Sequence, residues 1–591
     1  MNHHKPHSSR RNGAAVPLLL AAAMVVWTIL DSNSPSATVQ AFSSAPLLFP
    51  TPHPHVSIRH PVPFHSGSKT CFWALRNAPT SVEPTSNSTF LVNGNAADDG
   101  AVNDSENDQA NASKQQDSTT TTTTTTENAI IPNPRGQLRQ AWFLWMQAAS
   151  VGILTGLGVA LFKMGIHMVQ NVCYPGTTTL TSTRHWGKAG VPALGGLIVA
   201  LLGKYLGFSA GIKDTIQEVD TLTTTKATTP TSPRVWKFLP KTMAAAITLG
   251  SGASLGPEGP AVELGMNLSR WVSRSIMAPN QPNARLLLAC GAAAGVAAGF
   301  AAPLAGVFFA LEIVQANLSA LDQTAAPRPT TTTTPPLTAT RNTGAILVSS
   351  VVAALVCHAL LGHHAVLHLP TYVMSATPLL ELPVMVGMGV VSGGVAFVFQ
   401  QAIATSRSLF QRKWGRLSIP KLAQPVVGGL ISGLLGVAFP AIMFGGWSTL
   451  NALLANQAMP TTGLLTLLAV KLGATAVAAG SGLVGGTFAP SLFLGGMVGA
   501  AYANLLGLVS SRWVVSLPAY TLVGAATVLA AVFGAPLTAS LLVLELTQHN
   551  AVGGAILPLL ASCGVASGVC HALQAKQAAR KALATSTTIA S

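Results

Sequence analysis

Glu258 stands between two Gly-Pro breaks in the stretch LGPEGPAVELG, residues 255–265, inside a strongly apolar part of the chain. Glycine loosens the backbone there, and proline is tolerated in the first turn of a helix because its missing N–H would have had no intrahelical partner. The stretch therefore reads as a loop followed by a helix N-terminus. Such a terminus presents orphan N–H groups and about half a positive charge. That suits an anion, and a carboxylate at the same place is an anion mimic whose charge a proton can cancel. A second stretch, GGTFAPSLFLG, residues 485–495, places Thr487, Phe488 and Ala489 at an equivalent turn without an acid. Two such termini converging would hold a partly dehydrated anion weakly enough to release it. The plainer alternative for Glu258 is a helix-capping glutamate with no part in transport.

The two stretches belong to an internal repeat. GSGASLGPEGPAVELG, residues 250–265, aligns without gaps on GSGLVGGTFAPSLFLG, residues 480–495, and FAAPLAGVFFALE, residues 300–312, aligns on FGAPLTASLLVLE, residues 533–545. The two offsets, 230 and 233 residues, nearly agree, and each block is anchored by proline. A membrane chain of two related halves, each with Gly/Pro-interrupted segments, is the pattern of a transporter-type fold with its site where the broken helices meet. Non-helical backbone at membrane depth survives only when buried in protein or lining an aqueous path, so the breaks mark the path.

The elements around these turns must be membrane helices. Of 591 residues 49% are hydrophobic and only 9% charged, with mean hydropathy +0.46, well short of the charge of a soluble domain. Apolar runs such as WFLWMQAASVGILTGLGVALF and PVMVGMGVVSGGVAFVFQQAI approach the ~20 residues a spanning helix needs. The net charge of +15 is assigned to tails and short loops, where Lys and Arg set topology or touch lipid headgroups. Nucleic acid is not an expected partner. Six cysteines without CxxC spacing signal neither a metal site nor a disulfide framework. No cofactor is expected, and no nucleophile–base pair or metal-ligand cluster in the apolar part suggests an enzyme.

Residues 1–74 read as a presequence: a basic start, the short apolar run PLLLAAAMVVWTIL, then VQAFSSAP and a basic, Ser- and His-containing stretch. The pattern resembles the bipartite plastid presequence of algae with secondary plastids, the alternative being an ordinary secretory signal and an endomembrane location. Residues 75–135 form a polar linker with eight consecutive threonines, 119–126, and too little apolar surface to fold. Residues 136–575 form the membrane domain, with repeat 1 over about 140–320 and repeat 2 over about 380–575. The Thr-rich insert at 325–342 is expected to be an exposed loop.

These motifs resemble the CLC family of chloride channels and anion/proton exchangers, over about residues 140–575, in a form similar to plastid and cyanobacterial-type members. GPEGP is similar to the family's G-x-E-G-P motif, GGTFAP to its G-x-F-x-P motif, and FSAGIKDTIQEV occupies the place of a Gly-Ser-Gly-Ile-Pro motif. The resemblance implies an all-α polytopic fold of two inverted-topology repeats built from broken, tilted helices, and a homodimer in lipid with one anion pathway per subunit. By it Glu258 is the gating glutamate, and the anion site is formed by Gly256, Gly259, Ala210, Gly211, Ile212, Gly486, Thr487, Phe488 and Ala489. Glu312 and Glu545 match structural glutamates, and Glu263 a structural or lipid-edge partner.

Several positions depart from the family pattern. Ala210 and Lys213 replace the serine and proline of the third motif, so a side-chain donor to the anion is lost. The tyrosine that closes the inner end should lie near Gln577 to Arg580, yet none follows Tyr520. Ile313 stands where exchangers commonly carry an inner glutamate, so that proton relay is lost. Pro257 replaces a basic residue, for which Lys241 or Lys213 could compensate, snorkelling being the plainer role of each. Residues 576–591 form a short tail, with no paired nucleotide-binding CBS domains expected. The resulting expectation is a voltage-gated-type channel passing chloride, or nitrate or bromide, passively across a thylakoid or inner envelope membrane. Anion/proton exchange is the alternative, and a transport-dead structural membrane protein a third reading.

Overall fold

A computed structural model of the chain describes residues 134–175, 186–208, 211, 215–216, 238–276, 283–315, 336–362, 367, 378–411, 420–509, 516–547 and 552–590. All of them belong to one unit, Thr123–Ser591. The presequence and most of the polar linker lie outside the described residues, as do Ala210, Ile212 and Lys213.

Among the described residues the chain forms fifteen α-helices and no strand. In the first repeat these are α1 (Pro134–Cys173), α2 (Val191–Tyr205), α3 (Phe238–Gly250), α4 (Glu258–Ile276), α5 (Ala284–Phe300), α6 (Pro303–Phe309, continued by a π-helical turn Ala310–Gln315) and α7 (Pro336–Leu361). The second repeat contains α8 (Pro378–Gln411), α9 (Gln424–Ala438), α10 (Trp447–Leu454), α11 (Thr461–Gly480), α12 (Phe488–Val509), α13 (Leu517–Phe533), α14 (Pro536–Leu546) and α15 (Val552–Ala590). Six helices are long and apolar enough to cross a membrane, among them Ala141–Cys173, Leu382–Gln411 and Phe488–Leu508. Several others, such as α5, α6 and α14, are apolar but short.

Corresponding helices pack in corresponding ways. In the first repeat α1 lies against α7, and a Cβ at Gly152 or Gly156 would come within 2.6 or 2.7 Å of the Ser349 or Ala353 carbonyl oxygen. The second repeat repeats the device: α8 lies against α15, and a Cβ at Gly389 or Gly393 would come within 2.6 or 2.7 Å of the Ser562 or Ala566 carbonyl oxygen. Lipid tails are as apolar as leucine, so membrane helices associate through close van der Waals contact, and small residues permit it. Apolar on every side, α5 and α13 are buried almost throughout, as expected of helices in the middle of a bundle. Both end in a left-handed residue, Ala301 at φ 56° and Gly534 at φ 66°, directly before an Ala-Pro step that starts the next helix.

The inverted relation of the repeats is visible in two carboxylates. Glu312, just beyond the end of α6, accepts from the N–H of Leu537 (3.0 Å) and Thr538 (2.8 Å) at the start of α14, and from the Thr538 hydroxyl (2.6 Å). Glu545, near the end of α14, accepts from the N–H of Leu304 (2.9 Å) and Ala305 (2.8 Å) at the start of α6. Each helix thus ends beside the other's beginning, so the two run antiparallel. Each glutamate satisfies orphan N–H groups and meets the positive end of the partner's dipole. Replacing Glu545 by Ala should cost about 3 kcal/mol, the order of two charge-assisted hydrogen bonds, and Glu312→Ala somewhat more, because the Thr538 hydroxyl adds a third bond. Melting of the detergent-solubilised variants checks this; an unchanged melting temperature in either variant would argue against its cap.

Helix α7 packs on α1 as α15 packs on α8, and the last residues of the Thr-rich insert, from Pro336, are helical. Helix α15 runs unbroken from Val552 to Ala590. The segment QAKQAARKALA consists of strong helix formers without Gly or Pro.

Candidate functional site

The two Gly-Pro turns meet. Gly256 donates its N–H to the Gly486 carbonyl (2.8 Å) and Gly486 donates to the Gly256 carbonyl (2.7 Å). This is an isolated antiparallel bridge between segments 230 residues apart. Helices α4 and α12 begin two residues after it, at Glu258 and Phe488, so both N-termini are held at one point. The approach requires glycine: a Cβ on Gly259 would stand 2.9 Å from the Gly486 Cα, and one on Gly486 2.7 Å from the Gly259 nitrogen.

Glu258 fills the junction. Its side chain is buried, 3% exposed, and the carboxylate lies against the backbone N–H groups of its own residue and of Ala489, one from each repeat. A Cβ at Gly256 would collide with Oε2. Oε2 nevertheless has no hydrogen bond of ordinary geometry. The carboxylate therefore rests among helix-terminal donors without being clamped, in the position an anion would take.

Phe488 orients the second terminus. Its ring is 4.0 Å from Phe533, 5.7 Å from Phe300 and 6.0 Å from Phe309, centroid to centroid. Phe300 and Phe533 close α5 and α13, so the equivalent central helices of both repeats grip the start of α12. The Thr487 carbonyl is occupied by the Ser491 N–H (3.0 Å) and hydroxyl (2.7 Å). That leaves the first amides of α12, which Pro490 cannot supplement, as donors.

Comparison with known proteins shows the family. Residues 195–571 match the family model described as voltage gated chloride channel. The chain belongs to the CLC family. It is 34% identical over 455 residues to chloride channel protein CLC-e of Arabidopsis thaliana, covering 73% of this chain and 60% of that one. CLC-f of the same plant is 32% identical, with coverage of 72% and 53%. The match thus spans just over half the length of these relatives. Among solved structures, the CLC fold of a slow cyanobacterial Cl−/H+ antiporter covers 73% of this chain and 94% of its own, with TM-score 0.58 and 25% identity.

The remaining CLC positions are distributed unevenly. Of the third motif only Gly211 is described, its carbonyl accepting from Thr215 N–H at 2.9 Å. Ile313 lies in the π-helical turn, partly buried against the main apolar core, immediately after the capping Glu312. Gln577 exchanges hydrogen bonds with Gln401 of α8 at 2.6 and 2.8 Å, which commits it to that helix. Tyr520 is fully buried within α13.

Lys241 does not snorkel: it forms an ion pair with Glu263, 2.6 Å. Two other lysines, which the sequence reading overlooked, lie inside the apolar helices. Lys471 of α11 is wholly buried, donating to the Ile442 (2.8 Å) and Phe444 (2.7 Å) carbonyls, with its ammonium 5.3 Å from the Phe493 ring centroid. Lys163 of α1 donates to the Ala298 carbonyl at 2.9 Å. Two signals were available: a lone lysine inside an apolar run is a functional candidate by default, and Lys471 lies 230 residues after Lys241, the offset of the repeat itself.

Proposed function

We propose that the protein passes chloride or a similar small anion passively across a membrane, with Glu258 as the gate. The observation that carries this reading is the seat of the Glu258 carboxylate beside the Ala489 N–H, at the junction of two helix N-termini. When the carboxylate withdraws, the Gly256, Gly259, Gly486, Thr487, Phe488 and Ala489 backbone offers its donors to an entering anion, which leaves past the Ala210 to Ile212 segment. Passive movement is supported by Ile313, which has no titratable group, and by Glu312, whose carboxylate is spent on α14. Exchange is the second reading, favoured by the likeness to the cyanobacterial antiporter and by the capacity of Glu258 itself to carry a proton.

Chloride and proton movement recorded together, from liposomes holding the full-length protein under a pH gradient, separates the two. Passive conduction gives chloride efflux with no uphill proton flow; protons driven uphill by chloride establish exchange instead. The presequence pattern supports a plastid membrane, and the family resemblance a homodimer; import of a reporter carrying residues 1–74 and the mass of the solubilised particle check them.

A further inference from the structure

Two lysines of the apolar helices, Lys163 and Lys471, differ in what else they do, and packing brings Lys163 to the start of α4: beside its acceptor Ala298 stands Gly299, where a Cβ would come within 3.8 Å of the Ala261 Cβ in the first turn of α4. Lys471 is spent: two carbonyls and an aromatic face surround its ammonium, and its side chain is wholly buried. Lys163 is only partly buried, and its recorded acceptor among the described residues is the single carbonyl of Ala298. A lysine ammonium carries three donors on a flexible stem, so this one keeps donors to offer. The elements packed on α1 frame it. The Ala298 carbonyl comes from α5, and α7 brings the Cys357 thiol, which donates to the same carbonyl at 3.3 Å. From α4 comes Glu258, while Lys241 of α3 is paired with Glu263. Pro257, next to the gate, supplies neither an N–H nor a charge.

A purely structural role would have Lys163 cap an orphan carbonyl in the last turn of α5. A neutral donor could do that equally well. A full charge inside a low-dielectric site is another matter, since its field reaches the junction whether or not the carboxylate is seated there.

We propose that Lys163 is the standing counter-cation of the Glu258 site, a positioning residue that favours a small anion at the junction once the carboxylate has left. This rests on the reading of the junction as an anion site.

The test is chloride binding to the full-length protein in detergent by titration calorimetry, in a Glu258→Gln background that removes the competing charge. Adding Lys163→Gln, which keeps a donor for the Ala298 carbonyl, should weaken chloride binding about tenfold. Adding Lys163→Arg should leave it within about twofold, with all three proteins melting alike. If the Gln variant does not assemble, Lys163→Met carries the comparison. Equal affinity in the neutral variants, or equal weakening by Arg, overturns the proposal. Liposomes made from the same preparations keep the two readings apart: an intact affinity pattern without chloride flux overturns only the transport reading. No chloride binding even by Glu258→Gln overturns both.

Discussion

Glu258→Ala should pass chloride faster than the parent protein, with a flux that no longer depends on protonation of the gate. The expectation follows from where the carboxylate sits. An entering anion must displace it from the Ala489 N–H and from the N–H of its own residue, and a charge-assisted hydrogen bond is worth about 1.5–3 kcal/mol. Removing a competitor of that size opens the site by roughly tenfold or more, because each 1.4 kcal/mol is a factor of about ten. The incomplete bonding of Oε2 places the gain toward the lower end. Alanine leaves the backbone donors in place, since they belong to the helix starts and not to the side chain. Chloride efflux from liposomes measures the effect. A variant that assembles normally yet passes nothing would remove Glu258, and the junction with it, from the anion path.

Gly486→Ala should do the opposite. Its new methyl would stand 2.7 Å from the Gly259 nitrogen, 3.1 Å from the Gly259 Cα and 3.2 Å from the Gly256 carbonyl oxygen. All three are backbone atoms, so nothing can rotate away and the turns must separate. That breaks the reciprocal Gly256–Gly486 bonds and tilts the starts of α4 and α12 apart. Overpacking of this kind costs about 1–3 kcal/mol, a loss of stability that a folded membrane domain survives. The donors, however, no longer converge, and flux should fall at least about tenfold, in line with the steep cost of misplaced donors in an electrostatic site. Gly473→Ala in α11, which meets nothing within 4 Å, is the control and should be silent. If both variants conduct alike, the bridge is not what assembles the site.

How much of this was legible from residues alone depends on the range of the interaction. The Gly-Pro turns announced themselves because breaks in a membrane helix need Gly and Pro locally, and Glu258 because a carboxylate in such a turn is conspicuous. The packing of α7 on α1 and α5 was not legible for the converse reason: a Thr-rich insert separates α7 from the helices it packs on. Lysines were assigned to tails and loops as a class, which missed Lys163 and Lys471, whose acceptor carbonyls their own segments do not supply.

By itself, then, the sequence determined the membrane class, the twofold repeat and the two helix starts where an anion could rest, since hydropathy, periodicity and proline chemistry act over a few residues. Tertiary structure alone decided that those starts touch, that Glu312 and Glu545 are consumed in capping each other's helices, and that Lys163 and Lys471 are held by carbonyls of other segments. Each of those depends on groups about 27 to 241 residues apart in the chain, and no local preference carries that information.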